Sequence, residues 1–276
     1  MATVSVPLPD LANDYALTEE QQQSYQENGH ICLRNVCSSD EVAAFRPVLG
    51  ETVTKLNTET RSLQERDTYG KAFLQITNLW TQDEGAKRFV MAQRFAKIAA
   101  DLMGVEGVRL YHDQALYKEA HGGFTPWHQD QHYWPLDTNN TITMWMPLVD
   151  VTPELGVMEF ASGSHTEGYF GDLEISDESE EHFNRFVKER GFERVCHGAM
   201  NAGDATFHSG WTLHCAPGNN SERTREVMTV IYFADGTKVK EPDNQNRKND
   251  LAEWLPGCVP CGPAASPLNP VLFSRR

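Results

Sequence analysis

Long apolar runs, a surplus of positive charge, internal repeats and a dense set of cysteines are what this sequence lacks. No stretch of its 276 residues is apolar over the roughly 20 positions that a membrane-crossing helix needs, so no membrane partner of that kind is expected. Lys and Arg number 24 against 39 Asp and Glu, and the formal charge of -15 argues against nucleic acid or an anionic lipid surface as a partner. A small neutral, cationic or metal-chelated molecule fits that balance better. The opening "MATVSVPLPD" has no basic region followed by an apolar run, and the closing "FSRR" carries no lipidation or peroxisomal address. Six scattered cysteines (Cys32, Cys37, Cys196, Cys215, Cys258, Cys261) in a chain that can bury a core without staples point to a reducing, cytoplasmic setting. The "CVPC" at 258–261 lacks the two further ligands of a zinc site and the βαβ context of a redox motif.

What is present reads as one large domain. Thr18 to Gln21 and Ser38 to Glu41 have capping-box spacing ahead of helical patterns, with Gly29 stopping the first helix and "HICLRNV" forming a strand between them. Thr81 to Glu84 repeats the spacing before "GAKRFVMAQRFAKIAADLMG", where Phe89, Phe95, Ile98, Ala99 and Leu102 recur near a helical period. From residue 107 the texture changes to short apolar runs, "VRLYHDQALY", "TITMWMPLVDV", "GVMEFA", "DATFHSGWTLHCA" and "EVMTVIYFAD", divided by turn residues. These divide the chain into a mainly helical support (1–106), a β core (107–236) read as an antiparallel sandwich or barrel, and a C-terminal extension (237–276). The acidic "GDLEISDESEEHFNRFVKER" interrupts the strands and reads as a solvated loop and helix, with a lid as the alternative.

One segment, "TPWHQDQHYWPL", concentrates possible metal ligands. On an extended chain alternate side chains share a face, so His128 and Asp130 can reach one ion. His132 shares their parity, but an extended path puts its Cα roughly 13 Å from that of His128, too far for one ion unless the chain turns sharply. His214 ends the run "ATFHSGWTL", and a partner strand "EVMTVIYF" after "APGNNSERT" would place it at the mouth of a hairpin. His208, six residues earlier, would lie roughly 20 Å away along an extended chain, outside the same ion's reach. Arg225, at the start of that strand, offers a guanidinium fork for a carboxylate, with Arg223 as a rival on the same parity. Phe124, Trp127, Tyr133, Trp134 and Trp211 could wall a substrate pocket or simply be core.

The sequence resembles the phytanoyl-CoA dioxygenase family of iron(II)- and 2-oxoglutarate-dependent oxygenases. "LTEEQQQSYQENGHICLRNVCSSDEVAAFR" is similar to its opening helix, strand and helix, "PWHQDQHYWPL" to its H-x-D segment, and "LGVMEFASGSH" to its glycine-containing strand and turn. "LHCAPGNNSERTR" is similar to its segment from distal histidine to arginine, eleven residues apart, and "PLNPVL" also recurs there. Ser162 departs from the family's usual proline before Gly-Ser-His, which affects a turn and not the chemistry. The resemblance implies a mostly β fold with flanking helices around a double-stranded β-helix, the cupin-like jelly roll. It also implies His128, Asp130 and His214 as ligands of Fe(II), Arg225 on the far carboxylate of 2-oxoglutarate, and Trp145 and Gln114 beside that cosubstrate.

The implied reaction consumes O2 and 2-oxoglutarate, releases succinate and CO2, and oxidises a C–H bond of a small organic molecule, most simply by hydroxylation. Asp130 fills the position that related halogenases leave open for halide, which disfavours halogenation. Substrate contacts are expected from His132, Tyr133, Trp134, His208 and Trp211. Desaturation or rearrangement by the same class, a non-catalytic ligand-binding jelly roll, and a zinc-dependent cupin-like enzyme are the alternatives; the last would have no need of Arg225.

Overall fold

The computed structural model describes residues 7–171 and 174–276. Two antiparallel sheets face each other. The larger has the order β1-β8-β5-β10-β3-β11, formed by His30–Leu33 (β1), Ala205–Ser209 (β8), Thr141–Pro147 (β5), Val227–Ala234 (β10), Gly107–Tyr117 (β3) and Val271–Ser274 (β11). Leu74–Thr77 (β2) also pairs with β3. The smaller sheet runs β4-β9-β6-β7, from Thr125–His128 (β4), His214–Ala216 (β9), Glu159–Ala161 (β6) and Arg194–Cys196 (β7). Strands β1, β2 and β11 lie outside 107–236, so both flanking segments contribute to the large sheet.

Alternation along the strands separates the two faces of the large sheet. Met144, Met146, Phe207, Met228, Val230 and Tyr232 point outward into the main hydrophobic cluster, where Phe95, Ile98 and Leu102 meet them. Those three belong to α5 (Gln93–Met103), which packs across the sheet beside α1 (Glu19–Asn28), α2 (Ser39–Leu56) and α4 (Glu84–Val90). The edge-to-face rings of Phe45, Phe89 and Phe95 tie α2, α4 and α5 together, at ~0.5–1.5 kcal/mol per pair beyond their burial. A short α3 (Thr68–Ala72) precedes β2, α6 (Asp177–Arg190) lies against β4, and α7 (Gln245–Trp254) follows the last core strand.

Local expectations hold at the first two helices: Thr18 and Ser38 both close capping boxes, and Gly29 adopts the left-handed conformation (φ 74°) that stops α1. The third box does not form. Asp83 caps α4 through the amides of Gly85 and Ala86, while Thr81 bonds the Asn78 carbonyl, because an aspartate two residues closer to the helix competes better for its free N–H groups. The expected single helix after it breaks at Met91–Ala92 into α4 and α5. The expected hairpin from His214 to the "EVMTVIYF" strand is also absent: β9 pairs with β4 and β6, whereas β10 lies in the other sheet between β3 and β5. The segment between them crosses from one sheet to the other.

The helix expected in the acidic segment forms as α6, but one face of it is buried instead of solvated. Phe183 and Val187 of α6 are buried with Trp127, Ala161 and Leu213, and Glu180 accepts a hydrogen bond from the Trp127 amide at 3.0 Å. Asn184 accepts another from the Trp127 indole at 3.0 Å. α6 therefore backs the strand that ends at His128.

Candidate active site

Strand register places the inward side chains of the large sheet in two rows. Gln114, Thr229, Trp145 and Thr206 stand opposite one another on β3, β10, β5 and β8. Two residues along, His112, Ile231, Thr143 and His208 form the next row, which His30 of β1 extends. On the facing sheet β4, β9 and β6 align His128, His214 and Phe160. Between the sheets is a cavity of about 460 Å³, lined by seven of the large-sheet residues together with His128, Asp130, His214 and Arg225.

At its centre His128, Asp130 and His214 present ligand atoms all within 4.8 Å of one another. Each histidine spends its Nδ1 on the backbone, His128 on the Pro126 carbonyl at 2.8 Å and His214 on the Thr212 carbonyl at 2.9 Å. Both Nε2 atoms then turn inward as lone-pair donors, 3.5 and 3.6 Å from Asp130 Oδ1. Burial opposes ionisation of Asp130, but the surrounding histidines, His214 foremost, outweigh it and hold the carboxyl well below its ordinary range. Two imidazoles with inward Nε2 atoms and one carboxylate on one side of an open cavity could serve as a facial donor set for a divalent ion.

The strand ends at His128, and Gln129 remains extended (φ -117°, ψ 124°), so the shared face of His128 and Asp130 survives. A 3-10 turn then begins at Asp130. It shortens the path to His132, so distance along a strand is not what separates that ring from the cluster; direction is. His132 packs against Tyr133 and Tyr169 and lies 3.4 Å from the Asn246 amide. The distance argument fails more completely for His208. The chain folds back between β8 and β9, where a Cβ on Gly210 would sit 2.4 Å from Thr141 Oγ1, and the His208 and His214 rings end 4.3 Å apart. His208 Nε2 lies 3.3 Å from Asp130 Oδ2, the oxygen that also accepts from Thr143 Oγ1 at 2.9 Å.

At the inner end Arg225 is 2% exposed and enters no ion pair among the described residues. It donates to the Gly156 carbonyl, lies over the Trp145 ring at 5.2 Å, and leaves a buried Nε without a partner. Burial lowers its pKa to about 9, so the guanidinium is still charged at neutral pH. Arg223 instead donates to the Asp150 carbonyl from an exposed position. Beside Arg225, Lys118 is wholly buried against the Gly123 carbonyl, and burial, then Arg225, push its pKa down to about 6. A buried arginine with an unused donor could receive one carboxylate.

Trp145, Gln114, Tyr133, Trp134 and His208 all line the cavity, while His132 and Trp211 are not part of its lining. The Trp211 indole bonds Asn139. Trp127 is core beneath α6, and Phe124 is exposed. Thr143 was legible by parity with Trp145 but carried no motif. Glu174, Asp250, Glu253 and Lys118 gave no signal, since their roles come from tertiary placement.

A jelly roll carrying a two-histidine, one-carboxylate cluster and a buried arginine on the same cavity defines the 2-oxoglutarate-dependent, non-haem iron oxygenases. The chain belongs to the phytanoyl-CoA dioxygenase family, whose model matches residues 25–227. It is 22% identical over 78% of its length to a probable alpha-ketoglutarate-dependent hypophosphite dioxygenase of Stutzerimonas stutzeri, covering 78% of that protein. A phytanoyl-CoA dioxygenase domain-containing protein 1 homolog of Dictyostelium discoideum is 24% identical, with 88% of this chain and 98% of that one aligned. Among solved structures, the non-heme alpha ketoglutarate dependent carbocyclase SnoK from nogalamycin biosynthesis superposes with a TM-score of 0.76 at 25% identity, over 97% of this chain and 100% of that one. EctD from S. alaskensis, with 2-oxoglutarate and 5-hydroxyectoine, gives 0.67 at 19% identity, over 85% and 84%. The enzyme uses iron, 2-oxoglutarate and O2. No helix among the described residues is long and apolar enough to cross a membrane.

Proposed function

We propose that this enzyme oxidises a C–H bond of a small organic molecule, most simply by hydroxylation, with His128, Asp130 and His214 holding Fe(II) and Arg225 the far carboxylate of 2-oxoglutarate. The observation that carries the reading is the unpaired buried guanidinium on the same cavity as the three convergent donors. Fe(II), with 2-oxoglutarate bound, supplies the activation of O2, the release of succinate and CO2, and the oxidation of the substrate.

The chain's own residues hold the parts in place. Pro126 and Thr212 carbonyls orient the two imidazoles. Thr143 and His208 hold Asp130 Oδ2, which leaves Oδ1 beside the His128 and His214 Nε2 atoms, where it could serve as a ligand. Trp145 lies flat beneath Arg225 and, with Gln114, shapes the cosubstrate end. Tyr133 and Trp134 line the same cavity and would meet the substrate.

Anaerobic titration with Fe(II) and 2-oxoglutarate tests the class assignment of these residues: a visible charge-transfer band requiring both supports it. Tight zinc binding with no such band overturns it. Product mass then separates reactions, since hydroxylation adds one oxygen atom derived from O2, whereas desaturation and ring closure add none.

A further inference from the structure

We infer that the outer half of the cavity selects a substrate bearing an ammonium group and rejects anionic ones. The inference rests on the oxygenase reading above, and begins from charge balance. A divalent ion and Arg225 together match Asp130 and the two carboxylates of 2-oxoglutarate, so the inner end is neutral when loaded. Three further carboxyl groups, Glu174, Asp250 and Glu253, line the outer end, Asp250 with its pKa pushed up to about 7 by burial, and among the described residues the cavity lining holds no Lys and no Arg besides Arg225. Nothing on the wall balances them.

Neighbouring groups able to do so are committed elsewhere. Arg247, on the same helix as Asp250 and Glu253, is buried, pairs with Asp243 and is not part of the lining. His112 does line the cavity, but burial lowers its pKa to about 4, so it supplies no charge at neutral pH. Asp250 accepts a hydrogen bond from the buried Tyr111 hydroxyl at 3.0 Å, which holds its carboxyl at the wall. Glu174 is held by Asn246 at 2.9 Å across the opening.

The remaining surface suits the same ligand. Tyr69, Phe73, Tyr133, Trp134 and Trp254 also line the cavity, and aromatic faces attract an organic cation while solvating its carbon skeleton. Rings alone would accept any apolar molecule. Rings with unbalanced carboxylates favour a cation over a neutral analogue, and place an anion such as a thioester of a polyphosphate carrier at a disadvantage.

Three soluble probes decide the matter: benzyltrimethylammonium, which cannot ligate iron, 2-phenylethanol and 3-phenylpropanoate. Each is titrated anaerobically into protein loaded with Fe(II) and 2-oxoglutarate, with tryptophan fluorescence as the readout and the charge-transfer band recorded first. The cation is expected to bind at least about tenfold more tightly than the alcohol, and the carboxylate more weakly than either, with the cation's advantage shrinking as salt is raised. In the Asp250→Asn/Glu253→Gln double variant the advantage should fall below about threefold; Glu253→Gln alone, at an exposed position, should give part of that loss and guards against misfolding. A cation that binds no better than the alcohol, or not at all, overturns the inference, as does an advantage unchanged in the variants. Loss of the band in the parent protein instead overturns the oxygenase reading, so the two failures are distinguishable.

Discussion

At the inner end of the cavity Gln114, Thr229 and Trp145 stand opposite one another on three paired strands, whereas at the mouth Glu174, Asp250 and Glu253 come from a loop and a helix that no ladder holds. The inner residues cannot change place singly, because a one-residue slip would turn every side chain of a strand to the other face. The mouth residues can. That difference locates the common chemistry in the sheet and the choice of substrate in the connections around it.

Breaking the inner end should have the largest effect. His214→Ala is expected to weaken Fe(II) binding by more than roughly 100-fold, beyond what loss of an outer partner costs, while His132→Ala leaves it unchanged; equilibrium dialysis with Fe(II) under argon compares the two, and equal losses would refute the choice of ligands. Next comes Arg225→Gln, which should raise the dissociation constant of 2-oxoglutarate by about 100-fold through loss of a buried ionic partner, with Fe(II) affinity retained. His208→Phe should cost ~10–100-fold in Fe(II) affinity and shift the charge-transfer band, with partial recovery in His208→Asn. A purely structural role for His208 would lower the melting temperature and leave the band where it was.

The smallest effect concerns Lys118. Its folded pKa, about 6, lies below the 10.5 of an unfolded lysine, so between those values the unfolded chain holds one more proton. Stability of the metal-free protein should therefore rise with pH from about 6 towards 10, and Lys118→Met should flatten that slope. Melting curves across the range would show it; an unchanged slope would mean that Lys118 stays charged in the fold.

Much of the inner end is legible in the sequence. His128, Asp130, His214 and Arg225 belong to short segments whose order and spacing identify the family, and inward parity leads from Trp145 to Thr143. Arguments that assumed a straight chain fared worse. An extended path overstates the distance to His208 because the fold-back at Gly210 leaves little trace beyond one glycine, and it overstates the distance to His132 because the 3-10 turn shortens that path. The hairpin expectation failed because neighbouring strands in this topology lie in opposite sheets, a long-range pairing that local pattern does not encode. Three-residue strands such as β7 carry too few positions for a period to show, and the carboxylates of the mouth sit in polar segments that look like any solvated surface.

The attachment of α6 to Trp127 bears on any attempt to redesign this enzyme. Glu180 and Asn184 hold the residue immediately before His128, so the acidic helix acts as a clamp on the back of a metal ligand. The part of the segment that reaches the opening, around Glu174 and Ile175, ends before the helix cap at Ser176. Grafts that alter what enters the cavity would act around Glu174 and Ile175, where the Ile175 amide donates to the Tyr133 hydroxyl. Those that run past Ser176 would loosen the iron site from behind.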